Sequence, residues 1–106
     1  MFDEIRKKNP EILNKIHLIK GDITLPDLGL SSSDKNLLIE RVNIVFHVAA
    51  TVKFNEPLKK AIQTNTESPL YILELCKSMK NLISCVYIST AYSNPNISII
   101  DETIYE

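Results

Sequence analysis

Residues 42–54 read VNIVFHVAATVKF, and this stretch decides the fold. Its first half is rich in β-branched and aromatic residues, which is typical of a strand buried on both faces. The run then ends in His47, Ala49 and Ala50, where a surface loop would normally carry Gly, Asn or Ser. Small side chains at the end of a strand let a ligand pass close to the backbone. The stretch therefore predicts a buried strand that ends at a binding site, although an alanine pair also suits close packing of a helix on the strand.

The composition is that of one soluble globular domain or part of one: 106 residues, 44% hydrophobic and 24% charged, with a formal net charge of -1. Lys and Arg are scattered, so we expect no nucleic-acid partner, and no apolar run reaches the length of a membrane span. The charged N-terminus predicts no signal peptide. Cys76 and Cys85 lack the spacing of a metal site, which indicates reduced thiols in a cytosol-facing protein.

Helical and strand-like segments alternate along the chain. The patterns predict helices at residues 2–9, closed by Pro10, and at 34–41, a helical stripe of about six turns over 58–79, and strands at 15–20, 43–47 and 83–89. Apolar strands that alternate with helices form right-handed βαβ units. The predicted fold class is therefore α/β, with a doubly wound parallel sheet.

Ligands of such sheets bind beyond the carboxyl ends of the strands, which here are residues 21–23, 47–51 and 89–92. An acid at the first end and hydroxyls at the third could hold the two ends of an extended ligand. Each feature also has a simpler explanation, since Asp22 suits a turn or cap, and a Ser-Thr pair suits a helix cap or a pair of exposed hydroxyls. His47 has no second His, Cys or carboxylate placed beside it, so we expect a packed, hydrogen-bonded histidine rather than a base or metal ligand.

Three blocks of sequence resemble the fatty acyl-CoA reductases, which carry a male-sterility-type NAD-binding domain of the extended short-chain dehydrogenase superfamily. The blocks are KGDITLPDLGLS (20–31), VNIVFHVAATVKFNEPLKKAIQTNT (42–66) and YISTAYSN (87–94), with their spacing intact. The resemblance implies strands three to five of a Rossmann domain. It also implies an oxidoreductase of lipid metabolism that uses NADPH to reduce long-chain acyl-CoA to fatty alcohol.

The same resemblance implies roles for individual residues. The cofactor-binding residues would be Gly21, Asp22 and Ile23, beside the adenine, and Ala49, Ala50 and Thr51, along the ribose and pyrophosphate. Thr90, with Ser89 beside it, would donate a hydrogen bond to the substrate carbonyl, whose oxygen gains negative charge as hydride arrives. Asn65 would help to hold a water of the proton relay.

Asn65 also has a physical reading, since an amide on an apolar helical stripe must be paired. Pro69 lies four residues later and has no N–H, so a regular helix cannot satisfy the carbonyl of Asn65, which would stay free for water. Alternatively, Ser68 caps a second helix that starts at Pro69. The sequence alone leaves both explanations open.

Other segments of the family pattern are absent from these residues. The chain has two glycines, so it contains no GxxGxxG phosphate loop, and none of its tyrosines begins a YxxxK motif. By resemblance, residues 1–106 would be part of a single NAD(P)-binding Rossmann domain that lacks its N-terminal glycine-loop unit and its C-terminal Tyr/Lys segment, and they would be inactive alone. The full-length enzyme would face the cytosol at the endoplasmic reticulum or peroxisome membrane, attached through segments outside this chain. The alternatives are another extended dehydrogenase, of hydroxysteroid or nucleotide-sugar type, and a non-catalytic truncated copy.

Strand order yields a further expectation. In the order 3-2-1-4-5, the fourth and fifth strands (43–47 and 83–89) are neighbours, whereas the third (15–20) belongs two places away. In the whole enzyme this gap would stay open. In a chain folded alone, sliding the third strand against the fourth should be favoured, because unpaired backbone groups are costly. Either way we expect an apolar flank on the fourth strand and poor solubility.

Overall fold

The computed structural model describes residues 3–105 as a two-stranded sheet with helices. The α-helices are α1 (Asp3–Lys8), α2 (Ser32–Arg41), α3 (Leu58–Ile62) and α4 (Ser68–Ser78), and the strands are β1 (Ile44–His47) and β2 (Ser84–Tyr87). Two 3₁₀ helices cover Pro10–Lys15 and Pro26–Gly29, and a π-helical turn covers Gln63–Glu67. Phe2, the first residue of the first predicted helix, lies outside the described residues.

β1 and β2 pair in parallel, with Ile44 opposite Ser84 and His47 opposite Tyr87. The Ile88 N–H continues the ladder by donating to the His47 carbonyl at 3.0 Å. The two strands are joined through α3, the π turn and α4. This arrangement confirms an α/β structure with parallel pairing of the two predicted strands.

The predicted strand at residues 15–20 does not form. Lys15 ends a 3₁₀ helix, and residues 16–20 have no regular structure. A strand needs the N–H and C=O groups of a neighbour, and the described sheet contains only β1 and β2. The segment stays apart from β1, and Leu18 is 95% exposed. The gap is therefore open, as we expect for the whole enzyme and contrary to what we expect for a chain folded alone.

β1 alternates between a covered and an open face. His47 is buried, whereas Ile44 and Phe46 are 51% and 67% exposed. Burial on both faces, predicted from the run of apolar residues, is therefore wrong for the described residues, because nothing in residues 3–105 covers the second face. The expected apolar flank is present.

The 3₁₀ helix at Pro26–Gly29 contains a left-handed turn and packs against α4. Asp27, Leu28 and Gly29 all have φ between 52° and 58°, and Leu28 is among the few buried apolar side chains. Its carbonyl accepts the Asp22 N–H at 2.8 Å. A Cβ on Gly21 would lie 2.9 Å from that same carbonyl oxygen, so the close approach requires glycine.

The predicted long helix runs without a break from α3 into α4. Ser68 has helical φ and ψ of -60° and -40°, and its N–H donates to the Gln63 carbonyl, five residues back. Its hydroxyl donates to the Thr64 carbonyl at 2.6 Å. Ser68 is thus an interior residue of a widened turn, and the alternative in which it caps a separate helix is wrong.

Candidate functional site

A cavity of about 560 Å³ opens at the carboxyl ends of β1 and β2. This volume lies within the range of small-molecule sites. Five residues predicted from the sequence line it: Ala50, Thr51, Asn65, Ser89 and Thr90. The structure therefore brings the second and third strand ends together with the middle of the long helix.

Thr90 has a hydroxyl that is oriented by its own turn. Its Oγ1 accepts the Tyr92 N–H at 3.1 Å, and its carbonyl accepts the Ser93 hydroxyl at 2.7 Å. A hydroxyl can accept and donate at once. Among the described residues no acceptor takes the Thr90 proton, so this proton is available to a ligand in the cavity. The helix-cap alternative for the Ser-Thr pair does not apply, because no helix follows within residues 91–105. Ser89 and Thr90 are both exposed, in agreement with the other alternative, a pair of exposed hydroxyls.

Asn65 binds the backbone of Thr51 through both ends of its amide. The Thr51 N–H donates to Asn65 Oδ1 at 2.9 Å, and Asn65 Nδ2 donates to the Thr51 carbonyl at 3.1 Å. This pair explains an amide on the otherwise apolar stripe. The water-holding role of Asn65 stays a prediction.

The Thr51 side chain is held as well, by a residue that sequence reasoning missed. Its hydroxyl donates to Glu56 Oε2 at 3.1 Å, while Lys60 Nζ lies 3.2 Å from Glu56 Oε1. The Glu56 side chain is only 10% exposed. The hydrogen bond from Lys60 lowers the pKa of Glu56, burial opposes this shift, and the Thr51 hydroxyl adds to it. The i, i+4 spacing of Glu56 and Lys60 was the available sequence signal.

His47, the last residue of β1, is a packed and hydrogen-bonded residue, as predicted. It is 4% exposed, its ring stacks on Tyr87 with centroids 5.4 Å apart, and Nε2 lies 3.4 Å from Ser68 Oγ. The Ser68 proton goes to the Thr64 carbonyl, so His47 must donate its Nε2–H in this contact. Burial lowers the pKa of His47, which favours the neutral ring.

Residues 21–23, which follow the first predicted strand, do not line the cavity. Asp22 Oδ1 accepts the N–H and the hydroxyl of Thr24 at 2.9 and 2.7 Å, and these bonds lower the pKa of Asp22. The simpler explanation, a turn residue, therefore holds for Asp22. Contacts of Gly21, Asp22 and Ile23 with an adenine stay predictions.

The alanine pair at the second strand end is open to solvent. Ala49 and Ala50 are both exposed, and Ala50 lines the cavity. Packing of a helix against these alanines is not what the described residues show. That their small size leaves room for a ligand stays a prediction.

The two cysteines of the chain form no disulfide with each other. Cys76 is buried on α4 and Cys85 is partly buried on β2, and both are free. Burial raises the pKa of Cys76 to about 11, with a further contribution from Cys85. A thiol of this kind is a packing group rather than a nucleophile. Within residues 3–105, no His, Cys, Asp and Glu side chains group together as ligands for a metal ion.

The sequence model of a family of NAD-binding domains described as male sterility protein matches residues 1–106. Fatty acyl-CoA reductase 1 is 44% identical in Pongo abelii and 43% identical in Homo sapiens, and fatty acyl-CoA reductase wat of Drosophila melanogaster is 40% identical, each over 105 residues. These alignments cover 99% of this chain and 20% of each relative, so the chain spans about one fifth of the length of the relatives it matches.

Proposed function

We propose, since the chain belongs to the male sterility family of NAD-binding domains, that the protein acts as an NADPH-dependent fatty acyl-CoA reductase and forms fatty alcohol from long-chain acyl-CoA. The family indicates a nicotinamide dinucleotide, and the relatives are named fatty acyl-CoA reductases. One observation carries the proposal beyond these names. The cavity places a hydroxyl with an available proton beside an open strand end.

The cavity fits the nicotinamide half of a dinucleotide. Ala50 leaves space above the strand end, and no acidic residue of the described chain lines the cavity. When bound, the reduced cofactor supplies hydride to the thioester carbonyl carbon. The carboxyl-end position agrees with the general rule for ligands of open α/β sheets.

Thr90 acts on the oxygen of the same carbonyl. As hydride adds to the carbon, negative charge develops on this oxygen, and the Thr90 hydroxyl donates a hydrogen bond to it. Its orientation is already fixed by the Tyr92 N–H, so the donor need not reorganise as charge develops. Asn65 maintains the cavity wall by holding Thr51. Loss of coenzyme A thiolate yields the aldehyde, and a second reduction yields the alcohol.

We also propose that the full-length protein faces the cytosol at the endoplasmic reticulum or peroxisome membrane. No helix formed by residues 3–105 has the length and apolar character needed to cross a bilayer. The proposal assigns membrane attachment to other segments of the full-length protein, and the substrate, a lipid thioester, suits such a location.

The test is product analysis with the complete reading frame. The purified protein is supplied with palmitoyl-CoA and either NADPH or NADH, and lipids are extracted for mass spectrometry. We expect hexadecanol with NADPH and much less with NADH. A hydroxysteroid and a nucleotide sugar serve as rival substrates, and turnover of either one without reduction of palmitoyl-CoA would overturn the proposal.

A further inference from the structure

We propose that Lys53 forms a phosphate-binding subsite of the cavity, an inference that rests on the proposed function. The ligand group is a phosphate of the dinucleotide or of coenzyme A. Among residues 3–105, Lys53 is the one charged residue in the cavity lining. The cavity thus has a single formal charge, and it is positive.

The ammonium group of Lys53 makes no direct hydrogen bond or ion pair within the described chain. The ion pairs there engage other lysines, of which the nearest in sequence is Lys60 on Glu56. Glu56 attracts Lys53 over a distance, but both carboxylate oxygens are already bonded, one to Lys60 and one to Thr51. A cation without a partner beside an open cavity is suited to an anionic ligand.

The backbone of Lys53 is held in place before any ligand binds. Its N–H donates to Thr51 Oγ1 at 3.4 Å, and its carbonyl accepts the Glu56 N–H at 3.2 Å. Thr51 is itself fixed by Asn65 on both sides of its backbone. Polar contacts thus close the loop from Thr51 to Glu56, which we call the bracket. A loop that is already ordered loses less entropy when a ligand binds.

The apolar neighbours of Lys53 support a binding role. Val52 and Phe54 are 84% and 100% exposed, and both line the cavity with Lys53. They contribute little packing within the described chain, so the bracket presents a cation between two apolar groups. A ligand that covers Val52 and Phe54 would also exclude water from the ammonium group, which strengthens its attraction for phosphate.

The chemistry of the two ligands favours the dinucleotide as the source of the phosphate. In the dinucleotide one ribose separates the pyrophosphate from the nicotinamide ring, whereas the whole pantetheine arm separates the phosphates of coenzyme A from the thioester. Thr90 and Lys53 line the same cavity. A carbonyl at Thr90 therefore places the dinucleotide pyrophosphate, rather than the coenzyme A phosphates, near Lys53.

The experiment compares Lys53→Met with Lys59→Met in the full-length protein. Lys59 is an exposed lysine of α3 outside the cavity lining, and no ion pair of the described residues includes it. Equilibrium binding of NADPH and of coenzyme A is measured by calorimetry, and thermal unfolding checks that both variants fold. We expect Lys53→Met to weaken NADPH binding about tenfold or more, because a hydrogen bond to a charged group is lost, and Lys53→Arg to restore most of it.

Each result has a defined meaning. Loss of coenzyme A affinity alone would keep the phosphate subsite and reassign its source to the substrate. The phosphate subsite would be overturned if Lys53→Met, Lys59→Met and wild type all bound NADPH with the same affinity and also bound coenzyme A with the same affinity. Because binding is measured without turnover, a wild-type protein that binds NADPH but does not reduce palmitoyl-CoA would refute the proposed function and leave the subsite result standing.

Discussion

Several of the hydrogen bonds that shape the cavity are made by Thr51. Its N–H and carbonyl are bonded by the Asn65 amide, and its hydroxyl is bonded by Glu56. A loop residue with this many partners has little freedom, so the strand end keeps its shape without apolar packing. This is a consequence of side-chain chemistry at three positions rather than of the strand itself.

Replacing Asn65 by Asp should destabilise the protein. Aspartate retains an acceptor for the Thr51 N–H but loses the donor to the Thr51 carbonyl and places negative charge against that oxygen. The pair is exposed, so we expect a loss of about 0.5–1.5 kcal/mol in the free energy of unfolding, measured by urea denaturation of the full-length protein. Asn55→Asp, which adds the same charge at an exposed position of the bracket, is the control and should unfold as wild type does.

Replacing Thr90 by Val removes the hydroxyl and retains the shape. We expect kcat to fall by roughly a hundredfold, the typical effect of losing one oxyanion donor, with little change in KM for palmitoyl-CoA. Steady-state kinetics of the full-length protein measure both constants. Ser89→Ala is the matched variant; a harmless Thr90→Val with a crippling Ser89→Ala would show that the donor is one residue earlier.

The π turn is the most informative feature among the elements. Pro69 has no N–H to offer a carbonyl of the preceding turn, so the helix widens over Gln63–Glu67. The Ser68 hydroxyl donates to the Thr64 carbonyl in place of a backbone donor. The helix thereby continues past proline instead of ending, and Asn65 and Ser68 stay on one continuous element.

Ser68→Ala tests this substitution of a side chain for a backbone donor. Ser68 is fully buried, so the variant leaves the Thr64 carbonyl and the His47 Nε2–H without a partner. We expect a loss of about 1–3 kcal/mol in unfolding free energy. The control is Ser78→Ala, because the Ser78 hydroxyl makes the same backward bond, at 3.4 Å to the Glu74 carbonyl, on the exposed end of α4. Equal effects of the two variants would contradict the buried role of Ser68.

Burial of His47, where β1 packs against β2 and α4, should make the stability of the protein depend on pH. In the folded protein, burial lowers the pKa of His47 below its ordinary value of 6.5. At pH values between the folded-state pKa and 6.5, the unfolded chain therefore binds more protons than the folded one. Stability from this group is complete above pH 6.5 and decreases as pH falls through the window below it. We expect the thermal midpoint of the full-length protein to fall between neutral pH and about pH 5.

The matched variants for this pH effect are His47→Gln and His17→Gln. His17 is exposed, so its replacement should leave the pH dependence as in wild type. Replacement of His47 should flatten the thermal midpoint over the same window. An unchanged slope in His47→Gln would show that another group is responsible.

At the scale of the whole molecule, these residues bury few apolar side chains. Leu28, Leu75 and Cys76 are the buried apolar residues of the described chain, while Ile44 and Phe46 on β1 are open to solvent. The radius of gyration, 17.0 Å, exceeds that of a compact domain of this length, about 13 Å. Such a structure is suited to packing against further protein on the open flank of β1.

The 106-residue chain by itself should not bind NADPH with useful affinity. Its two glycines form no phosphate loop, and a glycine-rich loop with a helix N-terminus is what normally holds a dinucleotide pyrophosphate. Lys53 alone contributes one contact. Calorimetric titration of the purified chain measures the affinity, and a micromolar dissociation constant would contradict this prediction.

Local patterns were sufficient for most elements. A Ser31 cap that accepts the Asp34 N–H at 3.1 Å begins α2, and apolar runs mark β1 and β2. Parallel pairing followed from the helix between the two strands, since antiparallel neighbours would need only a short turn. Four of the proposed site residues, Ala50, Thr51, Ser89 and Thr90, could be placed at one cavity because parallel strands end at one edge of a sheet.

By itself, the sequence determined the α-helical segments, which two strands pair, and that their ends meet at one edge of the sheet, because hydrophobic period, caps and chain connectivity are local properties. The tertiary structure decided the rest. Residues 16–20 have strand-like composition but no neighbour to pair with. The amide of Asn65 reaches the backbone of Thr51, fourteen residues away, and Glu56 binds the same residue from within the loop. Such outcomes depend on which donors and acceptors meet in space, and no single stretch of sequence contains that information.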